Sequence, residues 1–183
     1  MQFKAICFDL DGTLLDSLSD IAICTNEILL KRGLPTHNLD KFRFFVGGGV
    51  RNLITRSLPE EARDKLLIEE CQKDFEREYR ENWDKNTAPY KGIPELLDKL
   101  SHLNIRLSIL SNKPHEFTLK AVDRLLSNWK FEAVLGQQKE IRKKPDPEGF
   151  FEITKKLQLP PNTFAFLGDT GTDMKTATAS GSY

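Results

Sequence analysis

The spacing of apolar residues changes repeatedly along this chain of 183 residues. From about residue 90 onward, short apolar runs typical of buried strands alternate with segments whose apolar residues recur at every third or fourth position. The predicted strands cover residues 106–110, 131–135 and 163–167, and the predicted helices begin near Pro94, Pro114, Pro147 and Thr172. Such alternation predicts an α/β fold with a parallel sheet whose two faces are covered by helices.

The first strand is predicted at residues 3–8, and the segment after it has a different pattern. Residues 17–85 show no strand signal, with a predicted helix over 18–33, a glycine turn at 47–49 and a charged helix over 59–82. The chain is therefore predicted to consist of an α/β core, residues 1–16 and 86–183, and a helical insertion, residues 17–85.

Composition excludes several classes of partner. The 27 basic residues balance the 27 acidic ones, which argues against dominant electrostatic binding to nucleic acid or to an anionic membrane. No apolar run approaches the roughly 20 residues that span a bilayer. Three scattered cysteines in apolar patterns, and a start without signal-peptide features, predict a cytoplasmic protein with reduced thiols. We expect a monomer or a weak homodimer, since the charged helix is typical of a solvated surface.

Polar residues follow three of the predicted strands. The three segments are residues 9–13 (DLDGT), 111–113 (SNK) and 168–173 (GDTGTD). In open parallel sheets, ligands bind outside the carboxyl ends of the strands, so these segments are predicted to converge on one crevice. Taken singly, each has a structural interpretation, since Asp-Gly after a strand is often a turn and Ser-Asn is often a helix cap. The three together favour a functional site.

Four aspartates in one crevice repel one another. At 4 Å and an effective dielectric constant of 20, each like-charge pair costs about 4 kcal/mol. A hard divalent cation resolves this repulsion, and Mg²⁺ suits a set of oxygen ligands with neither His nor Cys among them. The predicted carboxylates are Asp9, Asp11, Asp169 and Asp173.

Lys144 lies in a basic segment ahead of the third core helix. Taken alone, residues 139–144 have the pattern of a solvated basic loop. Beside an acidic crevice that binds a phosphate, Lys144 instead supplies the opposite charge that a phosphate group and a carboxylate nucleophile require.

The segment 9–13, Ser111, Lys144-Pro145 and the pair Asp169 and Asp173 together resemble the four ordered motifs of the haloacid dehalogenase-like hydrolase superfamily. The resemblance covers the whole chain. It implies a Rossmann-like core, a helical cap inserted between the first two motifs, and phosphoryl transfer through an aspartyl-phosphate intermediate.

The resemblance also implies a role for each motif residue. Asp9 would be the nucleophile and a metal ligand, and Asp11 the general acid and base that offers its backbone carbonyl to Mg²⁺. Asp169 would complete the metal ligands, and Asp173 would act directly or through a water. The phosphate would be bound by Thr13, Ser111, the backbone N–H of Asn112, and Lys144.

Within the superfamily, residues 87–92 and 111–114 are similar to the phosphoglycolate phosphatase-like subgroup. The cap segment 46–49 resembles a loop that covers the substrate, which makes Gly48 and Arg51 candidate substrate contacts. A plain hinge and a solvent-facing arginine are the alternatives. Family members usually continue past Gly181 with a further strand and helix, so part of the sheet beside residues 163–167 is expected to be bare.

These observations predict a Mg²⁺-dependent phosphatase for a small phosphorylated metabolite, with 2-phosphoglycolate as the best single substrate. A phosphomutase of the β-phosphoglucomutase kind and an inorganic pyrophosphatase would share the same residues. A non-catalytic phosphate-binding protein is the alternative from another class. A dehalogenase is disfavoured, because a halide leaving group needs no proton and Asp11 would then have no catalytic role.

Overall fold

The computed structural model describes residues 3–183, which divide into two compact units. One unit contains residues 3–15 and 89–183, and the other is Asp16–Ala88. Two strands of two residues each, β2 (Leu15–Asp16) and β3 (Ala88–Pro89), lie where the chain passes from one unit to the other.

The first unit is an α/β fold, as predicted. Its strands are β1 (Ala5–Phe8), β4 (Arg106–Pro114), β5 (Phe131–Gln137) and β6 (Phe164–Leu167). Its helices are α5 (Ile93–His102), α6 (His115–Leu125), α7 (Glu148–Leu157) and α8 (Gly171–Ser180), with a 3₁₀ turn at Pro161–Thr163.

The four strands form one parallel sheet in the order β5-β4-β1-β6. On one side of β1 lie β4 and then β5, and β6 lies on the other side of β1. This reversal of the strand order beside β1 is a topological switch point, where parallel sheets bind their ligands. Phe8 is in register with both Ile109 and Leu167, so the segments that follow these residues leave the sheet at a similar level.

One core cluster of this unit lies between the sheet and α7. Phe150, Ile153 and Leu157 recur on one face of α7 and are at most 2% exposed. They pack in one cluster with Ala5, Cys7, Leu110, Ala133, Phe164, Phe166 and Ala177. A Cβ atom at Gly149 would lie 2.8 Å from Leu110 Cδ1, so this glycine lets the helix approach the strand closely.

The second unit is helical. It contains α1 (Leu18–Lys31), α2 (Leu39–Phe45), α3 (Val50–Ser57) and α4 (Lys65–Asn82), with a 3₁₀ turn at Glu60–Ala62. The α1 helix packs on α4, and Ile28 of α1 and Cys71 of α4 are both buried. An inserted helical unit was predicted, and the structure contains one.

Two predicted element boundaries are corrected, and one helix is added. The strand expected to end at Leu110 continues to Pro114, because the ladder with β5 resumes after an irregularity and pairs Pro114 with Gln137. The helix expected over 59–82 begins only at Lys65, where Asp64 caps it by accepting a hydrogen bond from the Leu67 N–H at 3.0 Å. The α2 helix was not anticipated.

The outer edge of β6 forms two backbone hydrogen bonds with Tyr183. The Tyr183 N–H donates to the Phe164 carbonyl at 3.1 Å, and the Phe166 N–H donates to the Tyr183 carbonyl at 2.5 Å. The backbone at Tyr183 thus satisfies polar groups of this edge strand.

Cys7, Cys24 and Cys71 are buried and free, as predicted. Burial raises the pKa of the Cys7 thiol to about 12, which keeps it protonated and unreactive. Among residues 3–183, no helix has both the length and the apolar character needed to cross a bilayer. The cytoplasmic location and the oligomeric state stay predictions.

Candidate active site

Polar side chains gather at the carboxyl ends of β1, β4 and β6. Asp9 directly follows β1, Ser111 and Asn112 lie in the last residues of β4, and Asp169 comes two residues after β6. Lys144 enters from the connection between β5 and α7. The sheet topology therefore brings together side chains that are up to 160 positions apart, at the carboxyl ends of the strands where parallel sheets bind ligands.

Lys144 lies between two carboxylates. Its Nζ is 2.8 Å from Asp9 Oδ1 and 2.6 Å from Asp173 Oδ1, and the residue is only 4% exposed. Burial lowers the pKa of Lys144, but the charges of Asp9 and Asp173 outweigh burial and raise this pKa above its ordinary value. Lys144 is therefore a buried cation at the site, and the alternative of a solvated basic loop does not hold for it.

Asp9 is 7% exposed and has an unusual charge environment. Its Oδ1 atom accepts the Leu10 N–H at 2.7 Å in addition to the contact with Lys144. Burial, together with the neighbouring Asp173, raises the pKa of Asp9 to about 6 against the lowering effect of Lys144. A carboxylate that is held in this way is a candidate for chemistry, because perturbed groups cluster at functional sites.

Asp173 is committed to two structural partners. Its Oδ1 atom accepts from Lys144, and its Oδ2 atom accepts from the Thr170 N–H at 3.0 Å and from Thr170 Oγ1 at 2.6 Å. The bond from the Thr170 N–H is one half of a capping box at the start of α8, and the other half runs from the Asp173 backbone to the Thr170 side chain. Asp173 therefore orients Lys144 from a rigid helix terminus.

Oxygen atoms of Asp9, Asp169 and Asp173 lie within 4.8 Å of one another. Two glycines allow this approach: a Cβ at Gly12 would lie 2.5 Å from Asp169 Oδ2, and one at Gly168 would lie 2.3 Å from Asp173 Cγ. The donors are all carboxylate oxygens, which are the ligands that hard divalent cations prefer. The residues present therefore fit such a cation, with Asp9 and Asp169 the donors less occupied by other contacts.

Three further predicted residues contact this cluster or its neighbours. Thr13 Oγ1 donates to Asp169 Oδ1 at 3.3 Å. Asn112 Nδ2 donates to the Lys144 carbonyl at 3.0 Å, which ties the β4 end to the Lys144 connection. Ser111 Oγ accepts the Lys113 N–H at 3.2 Å. The contact of all three with a phosphate stays a prediction.

Asp11 has a partner that the sequence did not indicate. Its two carboxylate oxygens are each 3.0 Å from Lys113 Nζ. Asp11 was expected to share the crevice as a fourth repelling carboxylate, yet its charge is balanced by a lysine of β4. The available signal was a lysine placed in the buried end of a strand, where an unpaired ammonium is rare.

Gly48 and Arg51 belong to the helical unit. Gly48 lies between α2 and α3, and a Cβ there would lie 2.2 Å from Asn52 Nδ2. Arg51 is exposed on α3, and its Nη1 donates to Gln72 Oε1 at 3.4 Å. Their part in substrate binding stays a prediction.

Comparison with known proteins identifies the family. The sequence model of the haloacid dehalogenase-like hydrolase family matches residues 6–182 of this chain. The chain belongs to this family. The motif residues of the crevice thus occur on the fold that the resemblance implied.

Several relatives of this hydrolase family are similar over nearly the whole chain. A phosphoglycolate phosphatase from Pseudomonas syringae pv. tomato is 33% identical over 182 residues, which are 97% of this chain and 66% of that protein. The chain thus spans just under two thirds of that relative's length. A phosphoglycolate phosphatase from Aquifex aeolicus is 33% identical over 178 residues, 97% of this chain and 81% of its own length.

A solved structure from Haemophilus somnus, described as a predicted phosphoglycolate phosphatase, has a TM-score of 0.91 and 28% identity. The match covers 100% of this chain and 84% of that one.

Proposed function

We propose that this hydrolase is a Mg²⁺-dependent phosphatase that acts on a small phosphate monoester, with 2-phosphoglycolate as the first substrate to test. The observation that carries the proposal is Lys144, a buried cation held between Asp9 and Asp173. The names of the relatives support the same substrate class.

The proposed reaction has two steps. In the first, a carboxylate oxygen of Asp9 attacks phosphorus, the ester P–O bond breaks, and Asp11 gives a proton to the leaving alkoxide. In the second, water attacks phosphorus and gives a proton to Asp11, and the bond between phosphorus and Asp9 breaks to release phosphate. Two carboxylates are needed because the nucleophile must be ionised while the acid must carry a proton.

Lys144 is proposed to offset the charge that an incoming phosphate brings beside Asp9. It is already desolvated and fixed by Asp173, so it needs no reorganisation during the reaction. Thr13, Ser111 and the backbone N–H of Asn112 are proposed to bind phosphoryl oxygens.

A magnesium ion would be held by Asp9, Asp169 and the backbone carbonyl of Asp11. When bound, it would supply Lewis-acid neutralisation of the phosphoryl oxygens. The spacing of the carboxylates and the all-oxygen donor set support this assignment.

The decisive experiment measures phosphate release from a panel of small phosphate esters and pyrophosphate, with Mg²⁺ and with a chelator in its place. We expect Mg²⁺-dependent release from monoesters, with 2-phosphoglycolate among the best, and none from Asp9→Asn. Phosphate release that neither the chelator nor the Asp9→Asn substitution reduces would contradict the proposal.

The same panel distinguishes the alternatives. Preference for pyrophosphate would indicate a pyrophosphatase. Phosphate that is retained on a sugar product, with none released, would indicate a phosphomutase. Binding of phosphate with no turnover on any ester would indicate a non-catalytic protein.

A further inference from the structure

Lys113 forms a buried two-pronged contact with the proposed general acid and base. Its Nζ is 3.0 Å from Asp11 Oδ1 and 3.0 Å from Asp11 Oδ2. The Lys113 side chain is 5% exposed and that of Asp11 is 14% exposed. An ion pair this well shielded from water is screened far less than a surface pair, so it restrains both side chains.

The backbone of Lys113 is itself held in place. Its N–H donates to Ser111 Oγ at 3.2 Å, and its carbonyl accepts from Thr118 Oγ1 at 3.2 Å. A Cβ atom at Gly136 of β5 would lie 2.8 Å from the same carbonyl oxygen, so only a glycine permits this close packing. The lysine therefore extends from a rigid end of β4.

We propose that Lys113 is a positioning residue that orients the carboxyl group of Asp11 for proton transfer to the leaving oxygen. The inference rests on the proposed function and deepens it. The contact with both oxygens of Asp11 limits rotation of that carboxyl group. A different rotamer of Asp11 would leave the Lys113 ammonium buried without this partner, which is unfavourable.

Esters with different leaving groups separate this role from a structural one. An alkyl phosphate leaves as a strongly basic alkoxide and needs the proton from Asp11, whereas 4-nitrophenyl phosphate leaves as a weakly basic phenolate and does not. The value of kcat/KM reports the first chemical step, in which this proton is given. We expect Lys113→Met to lower kcat/KM for an alkyl phosphate about tenfold more than for 4-nitrophenyl phosphate.

This comparison is made within one variant, so a lower folded fraction cancels from the ratio of the two kcat/KM values. Lys113→Arg is the conservative partner, since a guanidinium can also contact both oxygens of a carboxylate, and we expect it to restore most of the ratio. Lys120→Met is the matched control, because Lys120 is an exposed lysine of α6 paired with Glu116. We expect it to leave both rates unchanged.

A double-variant test examines whether Lys113 acts through Asp11. In an Asp11→Asn background, we expect Lys113→Met to have no further effect on the alkyl-to-aryl ratio. An independent effect of the two substitutions would overturn the inference.

Three other results would also overturn it, and they can be told apart. An equal loss for both esters in Lys113→Met would indicate a structural role for the lysine. A rise in KM confined to esters that carry a carboxylate would indicate that Lys113 binds the substrate. A wild-type protein inactive on every ester would remove the proposed function itself, and this inference with it.

Discussion

Asp9 in the α/β unit and Asp20 in the helical unit are both buried aspartates, at 7% and 2% exposed, yet their surroundings differ. Asp20 accepts hydrogen bonds from the Asn86 and Thr87 backbone N–H groups, from Asn86 Nδ2 at 2.7 Å and from Thr87 Oγ1 at 2.7 Å. Asp9 instead shares one lysine with a second carboxylate, Asp173.

The pKa values of the two groups move in opposite directions. Burial alone raises the pKa of Asp20, but the hydrogen bonds from Thr87 and Asn86 outweigh it and lower this pKa. Burial and Asp173 raise the pKa of Asp9 to about 6, even with Lys144 beside it. A carboxylate surrounded by neutral donors is stabilised in its ionised form and thereby stabilises its unit. A carboxylate that shares one cation with a second carboxylate is less stabilised in its ionised form, which leaves it available for chemistry.

The largest expected effect is on catalysis. Replacing the nucleophile by Asp9→Asn should lower phosphate release by at least about 1,000-fold. The same change should leave the melting temperature in metal-free buffer unchanged or higher. A raised pKa means that folding disfavours the ionised form at pH 7, and Asn removes that charge. Calorimetry and phosphate assays on one preparation test both, and a clear drop in melting temperature would break the comparison.

Lys144→Met should damage stability and activity together. It leaves the carboxylates of Asp9 and Asp173 buried without their cation, and breaking a buried ion pair destabilises by about 3–5 kcal/mol. We expect phosphate release to fall by at least about 100-fold as well. Denaturant unfolding measures the first effect. The matched control is Lys143→Met at the exposed neighbouring position, where a comparable loss would show that Lys144 is not special.

Asp20→Asn should affect stability only. The amide cannot accept from all the donors that face Asp20, which leaves buried N–H or O–H groups unpaired at about 1–3 kcal/mol. A lowered folded-state pKa stabilises the fold at pH values above the unfolded pKa, and this contribution is lost as the pH falls through the folded pKa. The difference in unfolding free energy between wild type and Asp20→Asn should therefore shrink below about pH 4.

Hydrogen exchange at the Asn86 and Thr87 amides would locate this effect of Asp20→Asn in the helical unit. A pH-independent difference between the two proteins would show that the charge of Asp20 contributes nothing.

The smallest expected effect concerns Arg51. Because this side chain is exposed, Arg51→Met should change the unfolding free energy by no more than about 0.5 kcal/mol. If Arg51 contacts substrate, KM for phosphate esters that carry a carboxylate should rise by about tenfold, which corresponds to roughly 1.4 kcal/mol. KM for phosphate esters that lack a carboxylate should not change. Equal KM values for wild type and variant on both ester types would leave Arg51 as a solvent-facing helix residue.

The amino-acid sequence alone was sufficient for the fold class, and it predicted the crevice in which the candidate site lies. The apolar spacing indicates which segments form buried strands and which form helices with one buried face. The parallel sheet and the inserted helical unit follow from this pattern. The polar segments after β1 and β6 were found in the same way, because a carboxylate directly after a buried strand is conspicuous in the pattern. Boundaries were less well determined, as β4 shows, since its last residues are polar and yet continue the ladder.

Only the tertiary structure decided which charges meet. The sequence predicted Lys144 as the opposite charge of the crevice and assigned no partner to Lys113. The structure shows that Lys144 lies between Asp9 and Asp173 and that Lys113 contacts Asp11. The latter partners are 102 positions apart, so no local pattern relates them. Burial and charge pairing depend on how distant segments pack, and this packing sets the direction of each pKa shift. The physical reason is that apolar periodicity is a local property, whereas the electrostatic environment of a side chain belongs to the assembled sheet.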